Sequence, residues 1–294
     1  MKKNKSFILT LTCVFILLAV VATIGVINIF KDNKTNNTEK ITETVSKEDN
    51  KDNTPTKKKD RFSGLKLSSE DRGIPILCYH DVTPNNPDNN ELLLNPDKFR
   101  EQLKYLKDNG YCPITLDELY GYLKDNKAIP EKSVVITFDD GYKGNYKYAY
   151  PILKEFNFPA TVFVVSNFVD NDLYMSKAEL KEISKNGFKV ESHTAKHDDL
   201  SKLNEAKQIE TLKNSKNTLE NIIDDPVYYV AYPFGRHNKA TRIAAEKAGY
   251  KLGFNLNGSL ADKKDNSYNI DRVYISNNDS IEKFENRLNK SPKN

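Results

Sequence analysis

An α/β barrel of about seven strand–helix units in a single catalytic domain is the fold class this sequence predicts. Three observations lead there. Short apolar, β-branched runs such as SVVITF (133–138) and ATVFVV (160–165) recur between residues 74 and 275, each followed by a helical pattern. About seven such units in this length favour a closed barrel over an open sheet. Polar, chemistry-bearing residues gather just after the strands, where parallel barrels place their sites. The chain has 294 residues, 38% hydrophobic, enough for one domain of about 200–250 residues plus extensions. Its three cysteines are too few for a disulfide framework.

The elements follow in chain order. Residues 1–30 read as a membrane anchor: Phe7–Phe30 carries no charge and follows MKKNK. The run is longer than the roughly 7–15-residue core of a cleaved signal and matches the ~20 residues of a spanning helix. Lysines at 2, 3 and 5 keep that end cytoplasmic and put the rest outside the cell. A cleaved, secreted form is the alternative. Residues 31–70 have one aromatic, Phe62, and ten basic against eight acidic side chains, a polar linker too poor in apolar surface to order itself. Residues 71–294 hold 32 basic and 33 acidic side chains, so the excess positive charge lies outside the domain and nucleic-acid binding is excluded.

Within the domain, Ile74–Tyr79 reads as a strand, and Pro96–Asn109 as a helix with Phe99, Leu103 and Leu106 on one face and Gly110 as its stop. Thr115 and Glu118 form a capping box for Leu116–Leu123. Ser133–Phe138 is a strand and Tyr142–Phe156 a helix; Ala160–Val165 is a strand and Ser176–Asn186 a helix. Then come strand Phe188–Glu191, the long helix Asn204–Ile223, strand Val227–Ala231, helix Lys239–Ala248 and the strand candidates Lys251–Phe254 and Asn269–Ile275. Cys78 and Cys112 are expected as free buried thiols.

Four strand ends carry polar groups. SVVITF runs into Asp139-Asp140-Gly141, where one carboxylate could bind a cation and its neighbour stay free; a solvated acidic turn is the plainer reading. After Phe188–Glu191 come His193 and His197, two of only four histidines in the chain, spaced to close on one metal if the segment turns. Thr194 stands where a zinc protease would need Glu, which rules that mechanism out. Cys78-Tyr79-His80-Asp81 ends the first strand, with a packed histidine and capping aspartate as the plain alternative. Ala231-Tyr232-Pro233-Phe234-Gly235 ends another, a turn that would free the Tyr232 N–H for a ligand unless its aromatics are simply core. One Asp and two His with an open position is a catalytic zinc set; a further carboxylate and a further His could move protons. The implied reaction is hydrolysis of an acyl bond.

TFDDG (137–141) and HTAKH (193–197), in this order and each after a strand, resemble the motifs of the polysaccharide deacetylases, the NodB-homology domain of carbohydrate esterase family 4. The resemblance spans roughly residues 72–275. It implies a distorted (β/α) barrel and metal-dependent removal of acetyl groups from N-acetylated sugars, with Zn2+ the expected ion and other transition metals as alternatives. By position, Asp139 would be the base, Asp140, His193 and His197 the metal ligands, and Tyr232 the backbone oxyanion donor. Pro233 would shape the acetate pocket, and Phe234 and Tyr142 would join it in contacting substrate.

Departures point to a branch. Ala231 replaces the usual Arg, no Trp exists for the fourth motif, and no His follows His237. Instead ILCYH supplies His80 early, similar to the circularly permuted branch that includes poly-β-1,6-N-acetylglucosamine deacetylases of biofilm matrix. There His80 would be the general acid, with Asp81 as orienting partner, and Arg272 in NIDRVYI would hold Asp139. The expected protein is a monomeric, single-pass membrane enzyme facing that polymer outside the cell. Peptidoglycan as substrate, or a non-catalytic glycan-binding module, are the competing readings.

Overall fold

The computed structural model describes residues 61–290. The anchor expected at 1–30 and most of the 31–70 linker therefore lie outside the described residues. Among the described residues, no helix is long and apolar enough to cross a membrane.

Seven parallel strands form one curled sheet: β2 (Ile76–Tyr79), β7 (Ser133–Phe138), β8 (Ala160–Val164), β9 (Phe188–Ser192), β10 (Tyr229–Ala231), β11 (Leu252–Phe254) and β12 (Val273–Tyr274). Their spatial order is β11-β10-β9-β8-β7-β2-β12. Helices α1 (Pro96–Asp108), α2 (Leu116–Asp125), α3 (Tyr150–Phe156), α4 (Lys177–Ser184), α5 (Glu205–Ile223), α6 (Lys239–Lys247) and α7 (Ile281–Leu288) accompany it. Short strands β1 (Leu67–Ser68), β3 (Asp81–Val82), β4 (Leu93–Leu94), β5 (Cys112–Pro113) and β6 (Ile129–Pro130) complete the set. This is the distorted barrel that the strand–helix alternation predicts.

Strand alternation splits the core in two. Leu77, Val134, Ile136, Val162 and Val230 pack with the helices in one buried cluster. Ile76, Val135, Phe163, Tyr229 and Phe254 join Leu116, Leu119 and Tyr122 of α2 in the other, so α2 plugs the concave side of the sheet. Burial on both faces explains why the strands read as continuous apolar runs. The same period of two carries Cys78 on from Ile76, Thr137 and Asp139 on from Val135, and Glu191 and His193 onto the concave face. Glu191, buried inside the barrel, accepts 2.8 Å hydrogen bonds from the Tyr228 and Tyr229 N–H groups.

Several expectations need correction. Residues 61–70, assigned to the linker, fold onto the domain: Leu67 and Ser68 pair with Pro130 and Ile129, and Arg61 bonds Glu118 and the Pro113 carbonyl. Such a strand pair draws on backbone groups, which composition does not reveal. The helix expected over 142–156 runs from 143 and contains a wide π turn at Asn145–Ala149, where Tyr150 N–H reaches Asn145 O. Pro151 has no N–H to continue an ordinary register there. The strand expected over 269–275 shrinks to β12 because the segment changes partner midway. Ile270 bridges Phe254 of β11, whereas Val273 and Tyr274 pair with Leu77 and Cys78 of β2. One segment thus spans both edges of the sheet, carrying Arg272 between them. Helix α7, with Phe284 and Leu288 buried, was not anticipated. Cys78 and Cys112 are free, the first buried and the second only half-buried.

Candidate active site

The carboxylates of Asp139 and Asp140 leave the end of β7 in different directions. Asp139 keeps the strand's inward alternation, while Asp140 sits at φ 71°, in the left-handed region, followed by Gly141 at φ 83°. A Cβ at Gly141 would also crowd Val164 at 3.2 Å. The turn that aims Asp140 is therefore built by two unusual backbone positions in succession. Thr194 (φ 68°) and His197 (φ 61°) make a comparable turn after β9, the one that the spacing of the two histidines requires.

Asp140, His193 and His197 converge, with one potential ligand atom from each lying within 4.8 Å of the others. Asp140 Oδ1 is 3.4 Å from His193 Nε2 and 3.2 Å from His197 Nε2. His193 Nδ1 lies 2.8 Å from the Ala231 carbonyl, which fixes the ring and leaves Nε2 aimed at Asp140. Burial lowers the His193 pKa despite the nearby carboxylates, a shift towards the neutral ring that a metal ligand requires. Burial pushes the Asp140 carboxyl up, but the His197 and His193 imidazoles outweigh it and hold it below its ordinary range. Asp140 Oδ1 is buried and makes no hydrogen bond of good geometry with either ring. A buried carboxylate oxygen facing two imidazole nitrogens fits a divalent cation well.

Asp139 is held differently. Arg272, fully buried, forks onto it with 2.7 Å bonds from Nη1 to Oδ1 and Nη2 to Oδ2. Arg272 is fixed in turn by the Asn255 carbonyl and Thr137 Oγ1. Burial raises the Asp139 carboxyl, but Arg272 overrides it and pulls the pKa well below the usual carboxylate range. Cys78 Sγ lies 3.4 Å from Asp139 Oδ2, and burial pushes its thiol up. His80 borders the same space, its ring edge-on to Tyr274 at 5.8 Å. Asp81 does not orient that ring: His80 Nδ1 and Asp81 Oδ1 are both buried without hydrogen-bond partners. Burial pushes the Asp81 carboxyl up to about 6.

His80, Asp139, Asp140, His193 and His197 line one cavity of about 410 Å³, with Tyr142, Phe234 and Tyr274 also on its walls. Tyr142 is half-buried and stacks on Tyr174 at 5.1 Å. Phe234 is 58% exposed at the rim, its ring 4.6 Å from that of His197. Pro233 is buried and opens the one-turn helix Pro233–Gly235. Tyr232 is the correction here. Its N–H donates to the Phe254 carbonyl at 2.9 Å and so is not free for a ligand. Its ring is buried, with the hydroxyl donating to the Tyr268 carbonyl. The β10–β11 ladder runs one residue further than the turn Tyr-Pro-Phe-Gly suggests. Sequence reasoning also missed Cys78 and Tyr274 as site residues. The signal was there, since each stands two residues along a strand from a residue already singled out, His80 and Arg272.

Comparison with known proteins places this geometry. Residues 126–253 match the family model described as polysaccharide deacetylase. The Bacillus subtilis protein YxkH, itself assigned to the polysaccharide deacetylases, is 34% identical over 75% of this chain and 77% of its own. The chain belongs to the polysaccharide deacetylase family. The Staphylococcus aureus poly-β-1,6-N-acetyl-D-glucosamine N-deacetylase is 32% identical, across 74% of this deacetylase and 83% of the relative. The solved Streptococcus pyogenes deacetylase PplD, in complex with acetate, superposes with a TM-score of 0.71 at 32% identity, covering 74% of this chain and 99% of that one.

Proposed function

We propose that this deacetylase hydrolyses the acetamides of an extracellular N-acetylglucosamine polymer, poly-β-1,6-N-acetylglucosamine, using a divalent ion, zinc first, held by Asp140, His193 and His197. The observation that carries the reading is the division of labour between adjacent carboxylates: Asp140 Oδ1 buried beside two imidazoles, Asp139 clamped by Arg272. The relatedness to the staphylococcal enzyme supports the polymer. The uncharged run 7–30 and the polar stretch after it support a domain tethered to the outside of the cell membrane.

A divalent ion, when bound, supplies Lewis-acid polarisation and acidifies water. The rest is done by the chain. Asp139, ionised by Arg272, accepts the proton of the attacking water, a role that needs a carboxylate outside the ligand set. Arg272 fixes the plane of that carboxylate and balances its charge. As the acetamide carbon becomes tetrahedral, its oxygen needs an N–H donor, worth about 2.7–4 kcal/mol when preorganised. Phe234 is the candidate, since it borders the cavity, steps to φ 59° after Pro233, and its N–H has no backbone acceptor among the described residues. His80 returns a proton to the departing amine.

The test is acetate release by the full chain from poly-β-1,6-N-acetylglucosamine and from peptidoglycan, with chelator and after zinc is restored. Release from the first polymer, lost with chelator and recovered with zinc, is expected. Release from peptidoglycan alone, or a rate indifferent to chelator, would overturn the reading.

A further inference from the structure

We propose that Cys78, His80 and Asp139 form a second, inhibitory cation site, selective for soft divalent ions such as zinc, beside the Asp140, His193 and His197 set. It rests on the reading of that set as the catalytic metal site. The three residues offer one thiol sulfur, one imidazole nitrogen and one carboxylate oxygen within 4.8 Å of one another. Ligands about 2.0–2.3 Å from a tetrahedral ion lie about 3.3–3.8 Å apart, so a contraction of about an ångström closes the site. Sulfur, nitrogen and oxygen together suit zinc and its soft neighbours and disfavour magnesium or calcium. Two of the three groups, Cys78 and Asp139, are buried, and His80 Nδ1 is buried without a partner.

Arg272 does not block this site. Its fork uses one lone pair on each Asp139 oxygen, and a carboxylate has about four acceptor positions. The guanidinium charge does offset that of Asp139, which makes this the weaker of the two sites and fixes the order of filling. Occupation breaks the Cys78 S–H bond and forms a sulfur–metal bond; the proton passes to buffer and nothing is oxidised or reduced. An ion held there removes both proton-transfer groups at once, the base Asp139 and the acid His80. A chelator reverses the block.

The experiment is a cobalt and zinc titration of the metal-free full chain. The first equivalent restores acetate release without sulfur-to-cobalt charge-transfer absorption. The second brings that absorption and lowers the rate about 10²-fold, the low end of what a general acid contributes. Cys78→Ser keeps a hydroxyl donor towards Asp139 but loses the soft ligand. It is expected to lose both the absorption and the excess-ion inhibition, measured against its own one-equivalent rate. No sulfur band at two equivalents of the unaltered chain, a band with the first equivalent, or equal inhibition of Cys78→Ser would overturn the proposal. A first equivalent that binds equally well to His193→Ala instead overturns the catalytic assignment on which it rests.

Discussion

Removing the charge of Arg272 isolates what holds the base ready. In Arg272→Met the Asp139 carboxylate stays buried among Cys78, Thr137 and His193 but loses both 2.7 Å bonds. Breaking a buried pair from one side costs about 3–5 kcal/mol. For a domain of this size that is a fall in Tm of about 6–20 °C. The sign of the pH effect follows from the same contacts. Asp139 now sits below its unfolded pKa, so it adds stability above that value and loses it as pH falls through the folded one. Without Arg272, burial is left as the larger influence and the carboxyl rises, so the base is protonated over a wider range and the acid limb of kcat moves to higher pH. Acetate release against pH, with calorimetry on the same samples, reads both. The double variant Asp139→Asn/Arg272→Met removes both charges and should recover most of the lost Tm without recovering activity. If Arg272→Met kept its Tm within a degree or two and its pH profile unmoved, or if the double variant were the less stable, the pairing would not be what organises Asp139.

Asp139→Asn should retain bound metal and lose turnover by at least about 10²-fold, whereas His193→Ala should lose both, as metal analysis and acetate release on the same preparations will show. Burial raises Glu191 from an ordinary carboxyl to about 8. A raised carboxyl pKa stabilises the fold below the unfolded value of about 4.5 and loses that contribution as pH rises towards 8, by up to about 1.4 kcal/mol per pH unit. Denaturant midpoints of Glu191→Gln should therefore fall less between pH 5 and 8 than those of the parent; parallel curves would contradict this. Phe234→Ala, at the exposed rim, should raise KM about threefold to tenfold, the equivalent of ~0.5–1.5 kcal/mol, with Tm unchanged.

The sequence made the barrel legible because both faces of its strands are buried, so each strand announces itself as an apolar run ended by a polar cluster. The helices were legible where caps were: Thr115 with Glu118 forms the reciprocal box its spacing suggests, and the structure adds a second box at Ser176 and Glu179. What was lost depended on partners remote in sequence. Nothing local in residues 61–70 says that Leu67 and Ser68 pair with a strand some sixty residues on. Tyr232 was misjudged for the same reason. A proline one residue later suggested a turn, but the Phe254 carbonyl reaches over from the neighbouring strand and takes the amide first. Arg272 was legible only through the family resemblance, as a stand-in for the motif arginine that Ala231 replaces.

Why Arg272 can serve from the far end of the chain is a matter of sheet closure. The segment carrying it pairs with β11 at Ile270 and with β2 at Val273 and Tyr274, so it lies where the two edges of the sheet approach. A residue between those anchor points has the buried barrel interior on one side and ladder partners on both flanks. Cys78, two residues before His80, stands in register with Thr137 on β7 and with Tyr274 on β12. The register therefore sets the arginine, thiol and base in neighbouring rows, and Asp139 takes its partners from β2 and from the segment beyond it. Asp140 takes none of them, because the left-handed step at φ 71° turns it out of that row towards His193 and His197. Adjacent carboxylates acquire opposite surroundings through one backbone dihedral, and that separation keeps a base outside the ligand set.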